Sequence, residues 1–436
     1  MTAATSSFLD TLLSGTRTVP SAPTGWLNER RGRALERANA LSVPTTRDED
    51  WRFTDLAPLV RAGYRQVEQG GAPAPESVAA FFIPEASVRV TFIDGVFAPA
   101  HSSMASLPAG VRVATLTQML QSDATGVEPW LARIAKTDDR LFGALNTANL
   151  RDAAVVLLGR GAGCAVPVHV LHIATQDQVA VHPRCLVVAE AGAECAVIED
   201  FVALTDGTYF NNVVTEIHVG ANAQVRHVRL QRESMTAFHI AQCAVTLERD
   251  SSYTAQQIAL GARLSRYDLD VCQKGENATA RLDGLALIGA RQLADTHSAI
   301  DHAVAHCQSE QLHKTIVGDA SHAVFSGKIR VHPGAQQTNS SQSSRNLVLS
   351  ERARVDTKPQ LEIFADDVKC AHGATVGQID PEHLFYLKSR GLSDARARDL
   401  LTYAFAAEVI LRIPVPSLVT RLESAVLART QTGASS

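Results

Sequence analysis

Apolar residues follow different rhythms along this chain, and the changes of rhythm divide it into parts. From Trp26 to Leu41 the residues Trp26, Leu27, Ala34, Leu35, Ala38 and Leu41 recur at helical spacing with Arg and Glu between them. This pattern predicts an amphipathic helix that Pro44 stops. Pro129-Trp130-Leu131 opens a second helical pattern and Asp139-Arg140-Leu141-Phe142-Gly143-Ala144-Leu145 a third, after a strand-like passage near Val88–Ile93. Residues 24–150 therefore read as a mixed, mostly helical domain. Ahead of them, residues 1–23 are rich in Ser, Thr, Ala and Pro. They read as a flexible tail with one short amphipathic segment, Phe8-Leu9 with Leu12-Leu13.

From Arg151 to about Gly377 the helical period disappears, and short β-branched runs alternate with turns of Gly, Ala, Asn or Asp. The turns resemble one another. Gly192-Ala193-Glu194, Gly220-Ala221-Asn222 and Gly275-Glu276-Asn277 each lead into a strand of alternating polarity, and Arg249-Asp250-Ser251-Ser252 supplies a similar corner. A loose repeat of ~25–30 residues with small residues at its corners predicts a parallel β-helix, in which each coil buries its inward side chains against its neighbours. A β-sandwich is the alternative, but no series of Asn-Gly or Asp-Gly hairpin turns supports it. Residues 151–377 thus form a β-helical core in a mainly β fold.

The chain ends in helical rhythm over residues 378–436. Pro381 opens a helix that Gly391 caps, Ser393 N-caps a second that runs to Ile410, and Pro414 and Pro416 precede a last one with Leu418, Leu422, Val426 and Leu427. A helical pair in this place is expected to cap the solenoid's open edge and to offer a docking surface.

Charge and cysteine usage exclude several classes. Forty-one basic against forty-five acidic side chains give a net charge of −4 in 436 residues, with no block of like charge to follow a nucleic-acid backbone. No apolar run reaches the ~18 residues of a membrane span, so a soluble, cytoplasmic protein is expected. Seven scattered cysteines without any Cys-x-x-Cys speak against a disulfide framework, a zinc ribbon and a self-sufficient iron–sulfur site. The chain also lacks a phosphate-binding Gly-x-x-x-x-Gly-Lys-[Ser/Thr] loop and a nucleophile elbow, so it reads as neither a P-loop ATPase nor a recognisable hydrolase.

The stretch Lys369-Cys370-Ala371-His372-Gly373-Ala374-Thr375 sets a thiol and an imidazole two residues apart, on one face if the backbone is extended. Two such groups suit transient binding of a soft metal, provided that further ligands come from another chain or from solvent. Read blandly, Cys370 is a small buried hydrophobe and His372 a surface histidine. A second concentration, His297, His302, His306, Cys307 and His313, is either a structural metal site or a set of imidazoles that satisfy one another and the backbone along the solenoid surface.

Asp48-Glu49-Asp50-Trp51-Arg52-Phe53-Thr54-Asp55-Leu56, the run Ser326-Gly327-Lys328-Ile329-Arg330-Val331 with Gln336-Gln337-Thr338-Asn339, and Ala365–Thr375 together resemble the SufB/SufD family, on its SufD side. The resemblance covers essentially everything after the tail. It implies a right-handed parallel β-helix between helical regions, and a non-catalytic scaffold in the SUF system of iron–sulfur cluster assembly. It further implies pairing with a SufB paralogue, with a transient iron–sulfur cluster shared between the two chains and none tightly bound to this one alone. His372 inherits the role of an interfacial ligand, and Cys370 is a weaker candidate. The helices at 393–412 would hold a SufC-type ATPase. Two rival readings remain: a β-helical polysaccharide lyase or hydrolase using Asp366-Asp367 or Asp268/Asp270, and a structural homodimer formed through the same seam.

Overall fold

The computed structural model describes residues 3–104, 107–137 and 139–432. The alternating stretches become strands, most of 8–10 residues, that stack into two long sheets, one of eleven strands and one of ten. Phe210–Val219, Phe238–Leu247, Leu264–Gln273, Leu293–His302, His322–Val331 and Arg354–Ile363 are successive members of the first. Gln224–Arg232, Ser252–Ala259, Thr279–Ile288, Gln308–Val317, Asn339–Val348 and Lys369–Gly377 are successive members of the second. All of these pairs are parallel, and among the described residues antiparallel pairing occurs only at the start, as between Val111–Thr115 and Ala154–Leu158. The result is the expected parallel β-solenoid, with about eight turns.

The corners explain the repeat. Asn222, Asp250, Asn277, His306 and Gln337 each take a left-handed backbone with φ near +60°, where Asn and Asp are the least strained side-chain-bearing residues. Their amides form a ladder of their own: Asn222 N–H donates to Arg249 O at 2.9 Å, Asp250 to Glu276 O at 2.9 Å, His306 to Gln336 O at 2.9 Å and Gln337 to Asp367 O at 2.6 Å. Each corner thereby fixes the next one. Gly275 is required beside this ladder, since a Cβ there would lie 2.0 Å from the Arg249 nitrogen.

Inward positions of the first coils form a continuous apolar column, with Val170, Val187, Phe201, Ile217, Tyr253 and Tyr267 fully or almost fully buried. The outer faces of these coils are covered as well. Leu27, Leu116, Leu131 and Leu150 pack on Val155, Leu157, Leu186 and Val188, and the helix Leu141–Ala148 is buried along its whole length. The Trp26 pattern forms the helix Gly25–Ala40, as its spacing predicts.

Three expectations are corrected. In place of a flexible tail over residues 1–23, Ala3–Ser14 is a helix whose Phe8, Leu9 and Leu12 are buried against Tyr64 and Phe210; one apolar stripe suffices when a ready-made apolar surface receives it. Residues 1 and 2 lie outside the described residues. The pattern opening at Pro129 forms irregular turns instead of a helix. The buried Glu216 carboxylate accepts the N–H groups of Ala132, Arg133, Ile134 and Ala135 at 2.7–3.0 Å, taking donors that a helix would need.

The third correction concerns the C-terminal helices Pro381–Ser389, Asp394–Ile410 and Pro416–Thr432, which begin and end at the expected caps. They do not cap the open edge. Ala406, Val409, Ile410 and Leu418 cover Leu230, Ile258, Leu285, Leu312 and Ile316 on the outer face of the ten-stranded sheet. Lys314 Nζ donates to Phe405 O at 2.9 Å, and Arg412 pairs with Asp283 at 2.5 Å. Outward leucines and isoleucines in four successive coils offered a larger apolar surface than the strand edge did, and the helices follow that area. Residues 433–436 of the predicted helical end lie outside the described residues.

Candidate functional site at the open end of the solenoid

The last coil consists of Arg354–Ile363 in one sheet and Lys369–Gly377 in the other, each paired on one side only. Every residue of Lys369–Gly377 except the half-buried Cys370 is exposed. Its free edge is a row of unpaired backbone donors and acceptors, next to exposed Ile363, Phe364 and Val376, with Phe364 61% and Val376 53% accessible. Natural sheets rarely leave such an edge bare, and an apolar rim beside it marks a docking surface.

Cys370 and His372 share one face of this strand, as the extended backbone predicts, about 6.6 Å apart along it. That face is the inward one: Cys370 aligns with Ser340 and His372 with Gln342, both buried. The two side chains thus stand over the open end of the solenoid's interior. Cys370 packs beside Ile329, Val331 and Ala335, and burial raises the pKa of its thiol. Cys370 is therefore a neutral thiol at neutral pH, and a bound metal would have to displace its proton. His372 is exposed and, among the described residues, belongs to no cluster of three or more potential metal ligands.

Beneath them the interior changes character. Strand Asn339–Val348 turns Ser340, Gln342, Ser344 and Asn346 inward, all buried. Ser340 and Ser309 hydroxyls meet at 2.6 Å, and Ser309 lies 3.0 Å from His302 Nε2. Gln342 is 3% exposed, and neither its amide oxygen nor its nitrogen has a partner. It spans the interior to lie over Gly327, where a Cβ would come within 2.0 Å of the amide nitrogen. Reading the sequence for ligand-type residues missed Gln342. Its signal was present in Asn339–Asn346, a strand with no apolar residue on either face.

The segment from His297 to His313 does not converge. His297 lies 3.0 Å from Asp295 on an outer face, and His306 occupies an exposed corner. Cys307 is buried with its sulfur 3.4 Å from Gly275 O. His302 and His313 point inward, and burial lowers their pKa values to about 4 and about 3. These two imidazoles sit inside the solenoid with side-chain partners, not along its surface. No cluster of three or more potential metal ligands occurs among the described residues.

The acidic and aromatic stretch near Trp51 locks a junction. Trp51 lies against Phe142, and the Arg266 guanidinium lies 3.9 Å from the Trp51 ring centroid. Thr54 Oγ1 donates to Asp295 at 2.6 Å, and Lys358 reaches Glu49 at 2.5 Å. Of the carboxylates that a glycan-cleaving reading needs, Asp268 is engaged with Arg266 at 2.9 Å and Asp270 with Arg140 at 2.6 Å, while Asp366 and Asp367 are exposed on the turn before the last strand. Among the described residues, no helix is long and apolar enough to cross a membrane.

Comparison with known proteins agrees with this geometry. Residues 172–405 match the family model described as SUF system FeS cluster assembly, SufBD core domain, and residues 3–170 match the SufBD protein N-terminal region. The chain is 40% identical over 421 residues to an iron–sulfur cluster assembly SufBD family protein of Synechocystis, covering 93% of this chain and 91% of that one. It is 35% identical to the iron–sulfur cluster assembly protein SufD of Escherichia coli over 86% of each chain. It is 32% identical to the chloroplastic protein ABCI7 of Arabidopsis thaliana, over 90% of this chain and 84% of that one. A β-solenoid with an open last coil, matched by both family models along almost its whole length, belongs to the SufB/SufD family of SUF-system iron–sulfur cluster assembly proteins.

Proposed function

We propose that this chain is a non-catalytic scaffold subunit that pairs through its last coil with a SufB-type paralogue, and that His372 offers a ligand to an iron–sulfur cluster forming at the seam. The observation that carries this reading is the position of His372, exposed on the inward face of an unpaired edge strand. A partner solenoid end to end with this one would bury the apolar rim and bring its own ligands opposite the imidazole. Neutral imidazole anchors iron while leaving the cluster able to depart, which suits cargo in transit. Cys370 is the secondary ligand, available once a metal has displaced its proton.

The helical end would hold a SufC-type ATPase. Phe385 and Tyr386 on Pro381–Ser389 are 75% and 56% exposed, and Leu400 and Leu411 within 393–412 are 44% and 63% exposed, apolar side chains that the solenoid leaves uncovered. Movement of the ATPase subunits, transmitted through Asp394–Ile410, would open and close the seam. Such coupling links two sites through a two-state element. Without its paralogue the same edge would pair with a second copy of the chain.

The test is His372→Ala in the reconstituted complex. The expected result is loss of cluster formation, followed by ultraviolet–visible absorption, with the subunits still co-eluting. Cluster formation at the wild-type rate would refute the assignment.

A further inference from the structure

Away from the last coil, a cavity of about 580 Å³ opens between the irregular segment around Pro129–Arg140 and the outer face of the eleven-stranded sheet. Trp130 forms one wall, stacked on His218 with ring centroids 4.1 Å apart. Six cations line the space, Arg133, Lys136, Arg140, Lys274, Lys328 and Arg330, against the three carboxylates of Glu248, Asp270 and Asp301. On a chain whose net charge is −4 this is a local inversion of sign.

The charges are not equally available. Asp270 is held by Arg140 at 2.6 Å and Asp301 by His332 at 2.6 Å, while Lys328 and Arg330 share Glu362. Arg133, Lys136 and Lys274 are exposed and form no ion pair with a described residue, so they are left to face the cavity. His218 carries no charge at neutral pH. Burial lowers its pKa to about 4, with Lys274 pushing in the same direction, and its Nδ1 lies 3.0 Å from Thr246 Oγ1. The Trp130–His218 pair is therefore a neutral aromatic wall set among unpaired cations.

We propose that this cavity is a binding site for a phosphate-bearing aromatic small molecule of the nucleotide class. A neutral aromatic wall recognises a planar base by stacking, and three free cations recognise phosphate. The volume is in the range of sites that hold a small organic ligand and far exceeds what a bare phosphate fills. The cations gather around one pocket instead of running in a stripe, which fits a single nucleotide and not a polymer. The wall is rigid, because Glu216 holds four consecutive backbone N–H groups of residues 132–135 and is itself paired with the buried Arg184 at 2.5 Å.

Titration of the purified full chain with ADP, GDP and UDP, followed by calorimetry and by quenching of Trp130 fluorescence, tests the site. Saturable binding of at least one nucleotide is expected. Adenosine and pyrophosphate, which carry one half of the chemistry each, should bind at least about tenfold more weakly than the best nucleotide. Lys274→Glu, at an exposed position where folding is not at stake, should weaken that nucleotide by about tenfold or more. Trp130→Phe should abolish the quenching while binding persists. No saturable binding by any of the three below about 1 mM, pyrophosphate binding as tightly as the nucleotides, or an unchanged affinity in Lys274→Glu would each overturn the proposal.

Discussion

The first coils of the solenoid and its last two coils are built from the same repeat, yet they treat polar groups differently. In the first coils many ionisable groups are sealed and paired with one another, although both ring nitrogens of the buried His169 and His172 lack a hydrogen-bond partner. Glu199 accepts from Thr215 at 2.9 Å and lies 2.8 Å from His227, Glu233 lies 2.6 Å from His239, and Arg184 and Glu216 are paired with both side chains fully buried. In the last two coils polar residues also point inward, but Gln342, beneath the last strand, is unpartnered and His372, on that strand, is open to solvent. A buried polar group left unpaired costs about 1–3 kcal/mol. The first coils set buried ion pairs against that penalty and hold the fold; the last two coils bear it where a partner would dock.

The largest effect expected from this contrast is at Glu216. Glu216→Ala leaves Arg184 charged and buried and removes the acceptor for four N–H groups, which should destabilise the protein by about 3–5 kcal/mol in chemical denaturation. His372→Ala, by contrast, should change stability by less than about 0.5 kcal/mol, since it removes an exposed side chain. Equal losses for the two would erase the distinction between a holding region and an offering one.

The next effect is on pairing. Val376→Glu places a charge on the exposed apolar rim of the free edge, and should weaken association with the paralogue by about tenfold or more with folding unaffected. Light scattering and titration of the two chains read both quantities.

Acidification should separate the regions by pH. Buried neutral histidines bind a proton more readily once unfolded, where their pKa returns to about 6.5. Their contribution is therefore complete above pH ~6.5 and is lost as pH falls from there toward about 4, the folded value for His172 and His302. The sealed carboxylates Glu199, Glu233 and Asp200 have folded pKa values below their ordinary ones. Their contribution persists to pH ~4.5 and disappears below it. His302→Asn should flatten the first of these slopes, by up to about 1.4 kcal/mol per pH unit, and leave the second in place. The smallest effect is at Gln342. Gln342→Leu relieves an orphaned amide and should leave stability unchanged or raise it by about 1 kcal/mol, while slowing cluster formation if this amide steadies cargo beneath His372.

Much of this architecture could be read from the residues. The corners were legible because Asn222, Asp250 and Asn277 stand at left-handed positions where their residue type is itself the signal. The paired Cys370 and His372 were legible because a strand's alternation is fixed by geometry. What escaped was decided by remote surfaces. The Phe8 stripe looks like a tail until Tyr64 and Phe210 are seen to receive it. The segment at Pro129 looks helical until a carboxylate more than eighty residues away takes its N–H groups. The helical end was expected over the open edge because it follows the solenoid in the chain; the outward leucines at 230, 285 and 312 drew it onto a sheet face instead. Gln342 went unnoticed because an inward glutamine is distinguishable from an outward one only when the register is known.

The central claim is that Lys369–Gly377 is an edge kept open for another chain. Hydrogen–deuterium exchange of this strand, measured in the free protein and again with the SufB-type paralogue bound, tests it most directly. Rapid exchange of the free strand and protection on binding, with Phe238–Leu247 slow in both states, is the predicted result. Strong protection of Lys369–Gly377 in the free monomer, or no change on binding, would contradict the account.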